Sequence, residues 1–214
     1  MPHTGTPYDR RMADATEEVK SLKAEHAEAT RAALVASARS LFAERGYAAV
    51  SIEEIVRSAR VTRGALYHHF EDKADLFRAV FENVQQDLAQ RLMEAASSQP
   101  DEAKHLEIGC HAFLDACAEP DVQRIVLLDG PAVLGWEAWH ESDVNFGLGL
   151  LRRSIEAGIE GGTVERQPVG PLSHLLLGAL NGCGLEIARS SDPARAKREM
   201  RKATDRLLAG LRPR

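Results

Sequence analysis

The chain has little of what would place it in a membrane, in an oxidising compartment or among the common enzyme classes. Its 214 residues include three cysteines, and aromatic residues make up 5%. A membrane span needs about 18 consecutive apolar residues, and the longest candidate, LLLGAL at 175 to 180, falls far short, so no membrane partner is expected. The opening MPHTGTPYDRRMADATEEVK holds no apolar stretch of the kind that drives secretion, and a cytoplasmic location is expected. Cys110 and Cys117 lie two helical turns apart, about 10 Å along one helix, too far to bridge. Free, buried thiols in a reducing compartment are the expectation. There is no phosphate-binding glycine loop, no nucleophile elbow and no HExxH, so neither catalysis nor a cofactor is expected. With few rings available, Leu, Ala, Val and Ile must fill most of the core.

Strand-like alternation is also missing, and so are repeats and low-complexity tracts. What is present is helical periodicity from end to end. Leu34, Val35, Ala38, Leu41 and Phe42 recur at helical spacing and stop at Gly46, a usual residue just past a helix end. Ser51-Ile-Glu-Glu54 reads as a capping box that opens a second helix with Ile52, Ile55, Val56 and Ala59 on one face. Only Arg60 and Val61 separate it from Thr62, a candidate N-cap for a short third helix anchored by Leu66 and Phe70. A long amphipathic helix follows Asp72 and runs out at Ser97-Ser98-Gln99-Pro100. Further helical patterns cover 102 to 118, 121 to 129, 136 to 160, 171 to 190 and 193 to 210, punctuated by Pro120, Gly130-Pro131, Gly161-Gly162, Pro168 and Asp192-Pro193.

Net charge is −5, which over the whole chain argues mildly against nucleic acid. It is unevenly spread. Residues 30 to 83 carry eight Lys or Arg and seven Asp or Glu, one net positive charge, so the remainder carries −6. Placement matters more than the sum. Two helices joined by a short turn and packed on a third form a helix-turn-helix, whose second helix leads into the major groove of DNA. In VTRGALYHHF, residues 61 to 70, that second helix carries Gly64, although glycine inside a helix is disfavoured by about 1 kcal/mol. A side chain at Gly64 would hold the backbone away from a sugar-phosphate surface. Arg63 beside it suits bidentate bonding to guanine. Tyr67 and His68 follow on the same exposed side, Lys73 opens the next helix where it meets a phosphate, and Ser51 and Thr62 sit at helix starts facing phosphates.

The segment TRAALVASARSLFAERGYAAVSIEEIVRSARVTRGALYHHFEDKADLF, residues 30 to 77, resembles the DNA-binding domain of the TetR family of bacterial transcriptional regulators. It carries F-x-x-x-G-Y at Phe42–Tyr47, S-x-x-x-I-V at Ser51–Val56, A-x-V-T-x-G-x-L-Y-x-H-F at Ala59–Phe70 and K-x-x-L at Lys73–Leu76. One departure is Arg60, where the family usually has glycine in the turn; an arginine there is expected to be left-handed, at about 1 kcal/mol, or to offer another phosphate contact. The resemblance implies an all-α homodimer with an N-terminal three-helix helix-turn-helix domain and a helical effector-binding and dimerisation domain. The expected division is a polar arm over 1–28, partly disordered or extending the first helix, a DNA-binding domain over 29–76 and an effector and dimer domain over 77–214. The implied partners are a near-palindromic double-stranded operator and a small apolar effector, and the implied function is a ligand-responsive repressor. A ligand-independent or activating regulator is the alternative.

In the second half, Leu172, Leu175, Leu176, Ala179, Cys183 and Ile187 make an apolar stripe on one helix, and Leu207 and Leu208 contribute from the last. With the family's habit of dimerising, these are the expected interface. The stretch LLDGPAVLGWEAWHESD, 127 to 143, is expected to break a helix at Gly130-Pro131 and bring Trp136, Trp139 and His140 towards Cys110, His111, Phe113 and Cys117, with Phe146 opposite. Rings and breaks of this kind often line cavities. Cys110, His111, Cys117 and His140 are also the candidates for a metal-responsive reading, but their spacing matches no zinc pattern and no metal is expected.

Overall fold

The structure, a computed structural model, describes residues 7–101 and 104–213. Its elements are α1 (Pro7–Arg45), α2 (Ile52–Ala59), α3 (Arg63–His69), α4 (Lys73–Ser97), α5 (His105–Ala116), a π-helical segment (Val122–Asp129), α6 (Gly130–Leu134), α7 (Trp136–Glu160), α8 (Val169–Arg189) and α9 (Pro193–Ala209). The fold is all-α. Residues 7–28 continue α1 as helix, while residues 1–6, the rest of the expected arm, lie outside the described residues.

α1 stops at Gly46, whose φ is 79° and whose N–H donates to the Phe42 carbonyl at 2.8 Å. That turn lays Tyr47 against Phe77, with ring centroids 5.1 Å apart, and Phe42 packs edge-on against the same ring at 5.4 Å. Around these rings, Leu34 and Ala38 of α1, Ile55 of α2, Leu66 of α3 and Leu76 of α4 are fully buried. The capping box is complete: Ser51 Oγ accepts from the Glu54 N–H, and the Glu54 carboxylate accepts from the Ser51 N–H at 2.8 Å. Arg60 closes α2 in the left-handed region, at φ 57° and ψ 38°, so that its N–H reaches the Arg57 carbonyl and the Val61 N–H reaches the Val56 carbonyl. Glycine is the residue this conformation favours. Among the described residues Arg60 is the one non-glycine with positive φ.

α4 passes from this head into the second half. Leu76, Phe77, Val80 and Phe81 are buried near its start, and Val84, Gln85 and Leu88 are buried further along. Polar ties brace the junction. The Arg39 guanidinium of α1 donates to Asn83 Oδ1 at 2.9 Å, to Asp87 and to Asp121. Burial works against the Arg39 charge, but the two carboxylates outweigh it and hold the guanidinium above its ordinary pKa. Burial likewise pushes the Asp121 carboxyl up, and the bonds from Arg39 and the Val122 N–H pull it below the usual carboxylate range. At the other end of the π-helical segment, Asp129 accepts the Tyr47 N–H at 2.7 Å.

The expected helix break at Gly130-Pro131 is corrected: the chain stays helical through both residues and breaks instead at Gly135, whose φ is 82°. The π-helical register explains how. There the Val126 carbonyl would accept from residue 131, and a proline has no N–H to give. The Trp139 indole N–H takes that place, donating to the Val126 carbonyl at 2.8 Å. Gly130 is needed because a Cβ there would stand 3.0 Å from both the Ile125 carbonyl oxygen and the Trp139 ring.

Two outcomes follow from these local geometries. Arg60→Gly removes the left-handed penalty and is expected to stabilise the protein by about 1 kcal/mol, a rise in Tm of about 2–4 °C by scanning calorimetry. The depressed Asp121 carboxyl contributes stability above its unfolded pKa of about 4, and that contribution is lost as pH falls through the lower folded value. Asp121→Asn is therefore expected to lower stability at pH 7 by about 1–3 kcal/mol, with the gap to the parent protein closing in melts run towards pH 3.

Candidate nucleic-acid interface and cavity

Leu66 anchors α3 with no exposed surface, which turns Arg63, Gly64, Tyr67 and His68 outward. Thr62 is the N-cap, its Oγ1 accepting the Ala65 N–H at 3.1 Å. The side chain of Arg63 is 60% exposed and braced on two sides, by Glu53 Oε1 at 2.7 Å and by the Tyr67 hydroxyl at 3.3 Å. Its guanidinium lies 5.5 Å from the centre of the Tyr67 ring. Tyr67 and then Glu53 raise the guanidinium above its ordinary pKa. This bracing limits the wandering of a long side chain that has to find a base edge. A Cβ on Gly64 would meet only the Thr62 Oγ1, at 3.8 Å, so nothing within the protein requires glycine there.

Two more of the sequence-predicted DNA contacts are already engaged within the protein. Ser51 shares its hydroxyl with Glu54 at 2.8 Å, in the capping box. Lys73 is half-buried: its ammonium bonds the Tyr47 carbonyl and sits 4.1 Å from the Tyr47 ring centre. Burial lowers the Lys73 pKa. A phosphate therefore has to share this ammonium with Tyr47.

In the second half, α4, α5, α7 and α8 line a half-open cavity of about 410 Å³. Of the eight residues expected to line it, Cys110, Phe113 and Phe146 do, and the other five do not. His111 lies against α9, bonded to Asp205 and 3.0 Å from Arg201. Cys117 has no exposed surface and packs under Gly184. Trp139 is buried with its indole committed to Val126. Trp136 is 64% exposed and stacks on the His140 ring at 5.7 Å. Sequence reasoning missed most of the wall, including Gln85, Leu88, Leu92 and Met93 on α4, Gly109 on α5, and residues of α7 and α8 such as Ser154 and Leu177. A signal existed for one of them, since Gln85 is a polar residue inside the apolar stripe of Phe81, Val84 and Leu88.

The four candidate metal residues do not converge among the described residues; the group that does is Glu107, His111 and Asp205. Arg201 faces the other ring nitrogen of His111, which opposes a cation there. Burial pushes the Cys110 thiol up to about 12 and Cys117 higher still, so both stay protonated and poor as ligands.

The expected dimer stripe divides. Leu172, Leu176 and Ile187 are buried within the protomer, and Leu208 packs on the same core. Cys183 is half-buried, whereas Leu175 is 72% exposed, Leu207 is 48% exposed and Ala179 is exposed. The apolar stripe is wider than one neighbour can cover, and the protomer's own core takes the middle of it.

Gly64 offers a discriminating test. Gly64→Ala is expected to leave stability unchanged or raise it by up to about 1 kcal/mol while weakening DNA binding, read by calorimetry and fluorescence anisotropy on the same preparation. A loss of stability would point to an internal reason for the glycine.

Comparison with known proteins adds the family. The model described as "Bacterial regulatory proteins, tetR family" matches residues 34–80, and the one described as "Tetracyclin repressor-like, C-terminal domain" matches residues 103–211. The chain is 30% identical over 171 residues to the transposon Tn10 TetC protein of Escherichia coli, covering 80% of this chain and 84% of TetC. It is 36% identical over 109 residues to the HTH-type transcriptional repressor BepR of Brucella suis, half of this chain and 52% of BepR. Among solved structures it superposes on a TetR-family transcriptional regulator from Pectobacterium atrosepticum with a TM-score of 0.81 at 36% identity, over 89% of this chain and 97% of that one. With its helix-turn-helix head and its helical second half both matched, the chain belongs to the TetR family and is a DNA-binding transcriptional regulator.

Proposed function

We propose that this regulator is a ligand-responsive repressor, acting in the cytoplasm as a homodimer on a near-palindromic operator. The observation that carries the reading is α4: one helix whose start packs on α1, the helix that also carries the DNA-facing α3, and whose later turns wall the cavity. Residues 29–76 form the reading head in this proposal, and 77–214 the effector and dimer part. Arg63 reads a base edge, Tyr67, His68 and Thr62 contact the operator around it, and Gly64 lets the backbone approach. Ser51 and Lys73 support the local geometry and reach phosphates at its margin.

The second copy docks on α8 and α9. Leu175, Gly178, Ala179 and Gly182 are exposed on α8, and Leu207 is exposed on α9, which supports close helix packing across a two-fold axis. An effector seated against α4, α5, α7 and α8 shifts α4 and so changes the spacing of the two reading helices. A coupling of about 1–3 kcal/mol suffices to regulate.

Two measurements test this. Arg63→Ala is expected to weaken operator binding by about 1–3 kcal/mol, measured by anisotropy on duplexes tiled across the upstream DNA at several salt concentrations; equal binding by parent and variant would sink the base-reading role. Leu175→Glu is expected to give a folded monomer in sedimentation velocity, with operator affinity lost alongside. A dimer that survives this change would mean that the interface lies on another face.

A further inference from the structure

The cavity contains one feature that packing does not explain. Gln85 is 4% exposed on α4, at helical spacing from Phe81, Val84 and Leu88, all of them buried and apolar. It lies on the cavity wall. Its side-chain Nε2 is the one buried side-chain polar atom among the described residues with no hydrogen-bond partner. A buried donor left unpaired is destabilising, and native proteins rarely keep one without a use for it.

The rest of the wall narrows the use. Leu88, Leu92, Phe113, Phe146 and Leu150 present hydrocarbon, and no Asp or Glu lines the cavity. The lining groups able to carry charge are His105 and the exposed Arg153, both basic. A cation would enter without a counter-charge. A purely hydrocarbon ligand would bury the Gln85 amide and leave it as unsatisfied as before. The volume of about 410 Å³ lies within the range of small-molecule sites.

We infer that Gln85 is the polar anchor of this cavity, and that its occupant is a largely apolar molecule presenting a hydrogen-bond acceptor such as a carbonyl or ether oxygen, towards which the amide turns its Nε2, shut away while the cavity is empty. This rests on the reading of the cavity as the effector site. Gly109, on the α5 wall, separates the two claims: a Cβ added there meets nothing within 4 Å, so a larger side chain fills the cavity without disturbing the wall. Gln85→Met keeps length and shape while removing the donor; Gly109→Leu keeps the donor while removing the space.

The experiment uses two matched pairs of probes, acetophenone against ethylbenzene and benzophenone against diphenylmethane, titrated into the full-length protein by calorimetry. Each pair differs in a single acceptor oxygen. The parent protein is expected to bind each ketone about tenfold more tightly than its hydrocarbon. Gln85→Met is expected to erase that preference while retaining hydrocarbon binding, and to melt no lower than the parent when empty. Gly109→Leu is expected to weaken both members of each pair at least tenfold. If Gly109→Leu blocks binding but Gln85→Met keeps the ketone preference, the anchor is wrong and the cavity stands. If Gln85→Met destabilises the empty protein, the amide is satisfied internally and the inference fails. If the parent binds none of the probes, or Gly109→Leu changes nothing, the cavity reading itself falls.

Discussion

α4 is one uninterrupted helix, and both halves of the molecule are packed onto it. Near Lys73 its apolar face joins the core of the head, where Leu76 is fully buried and Phe77 packs against Phe42 and Tyr47. Three turns on, Val84, Gln85 and Leu88 face the second half. At 1.5 Å per residue, Gln85 is about 18 Å along the axis from Lys73. A long helix curves gently but kinks sharply only at a proline, a glycine–serine pair or a lost hydrogen bond, and α4 has no proline or glycine inside it. A push at the cavity wall therefore travels as movement of the whole rod. A head joined by a flexible linker would lose that push in the linker.

The rod does not act alone, because a second connection runs beside it. The π-helical segment is pinned to the head at both ends by carboxylates. Asp121 holds Arg39 at its start, and Asp129 holds the Tyr47 backbone at its finish. Arg39 also grips Asn83 and Asp87 on α4, so α1, α4 and the π-helical segment meet on one guanidinium. π-Helical register is rare and usually short. Here three things offset its cost: Trp139 supplies the donor that Pro131 lacks, Gly130 makes room for the indole, and the two aspartates fix the ends. The segment packs against α1, α4 and α8, so it is placed to carry a change in the cavity's surroundings to the head by a path independent of α4.

The head was legible because its signals are local. A capping box, a terminating glycine and a two-residue turn each act within a few residues, and each is found where the sequence put it. Even the departure at Arg60 was readable, since a turn that usually holds glycine imposes a left-handed residue on whatever replaces it. The second half was harder because periodicity says which face is buried but not against what. Leu172, Leu176 and Ile187 are apolar for the protomer's own core, while Leu175 and Ala179, on the same helix, remain outside. The tryptophans misled for a related reason. An indole near a helix break suggests a cavity wall, but Trp139 is spent on a carbonyl that only the π-helical register leaves without a donor.

Glycines show the same distinction between inward and outward reasons. At Gly130 and Gly184 an added Cβ would press on the Trp139 ring or the Cys117 sulphur, at 3.0 and 2.8 Å, so the protomer itself accounts for them. At Gly64, Gly178 and Gly182 there is open space where a Cβ would go, and all three lie on exposed helical faces. Each lowers helix propensity by about 1 kcal/mol relative to alanine, with no return inside the chain. In the proposed reading their return comes from a surface that approaches the backbone: DNA at α3, a second copy at α8. Gly109 belongs with them, except that its open space is the cavity. Gly149, exposed on α7 and equally free of neighbours, fits no surface described above. Gln85 is the polar counterpart, a residue whose presence makes sense only once something else arrives.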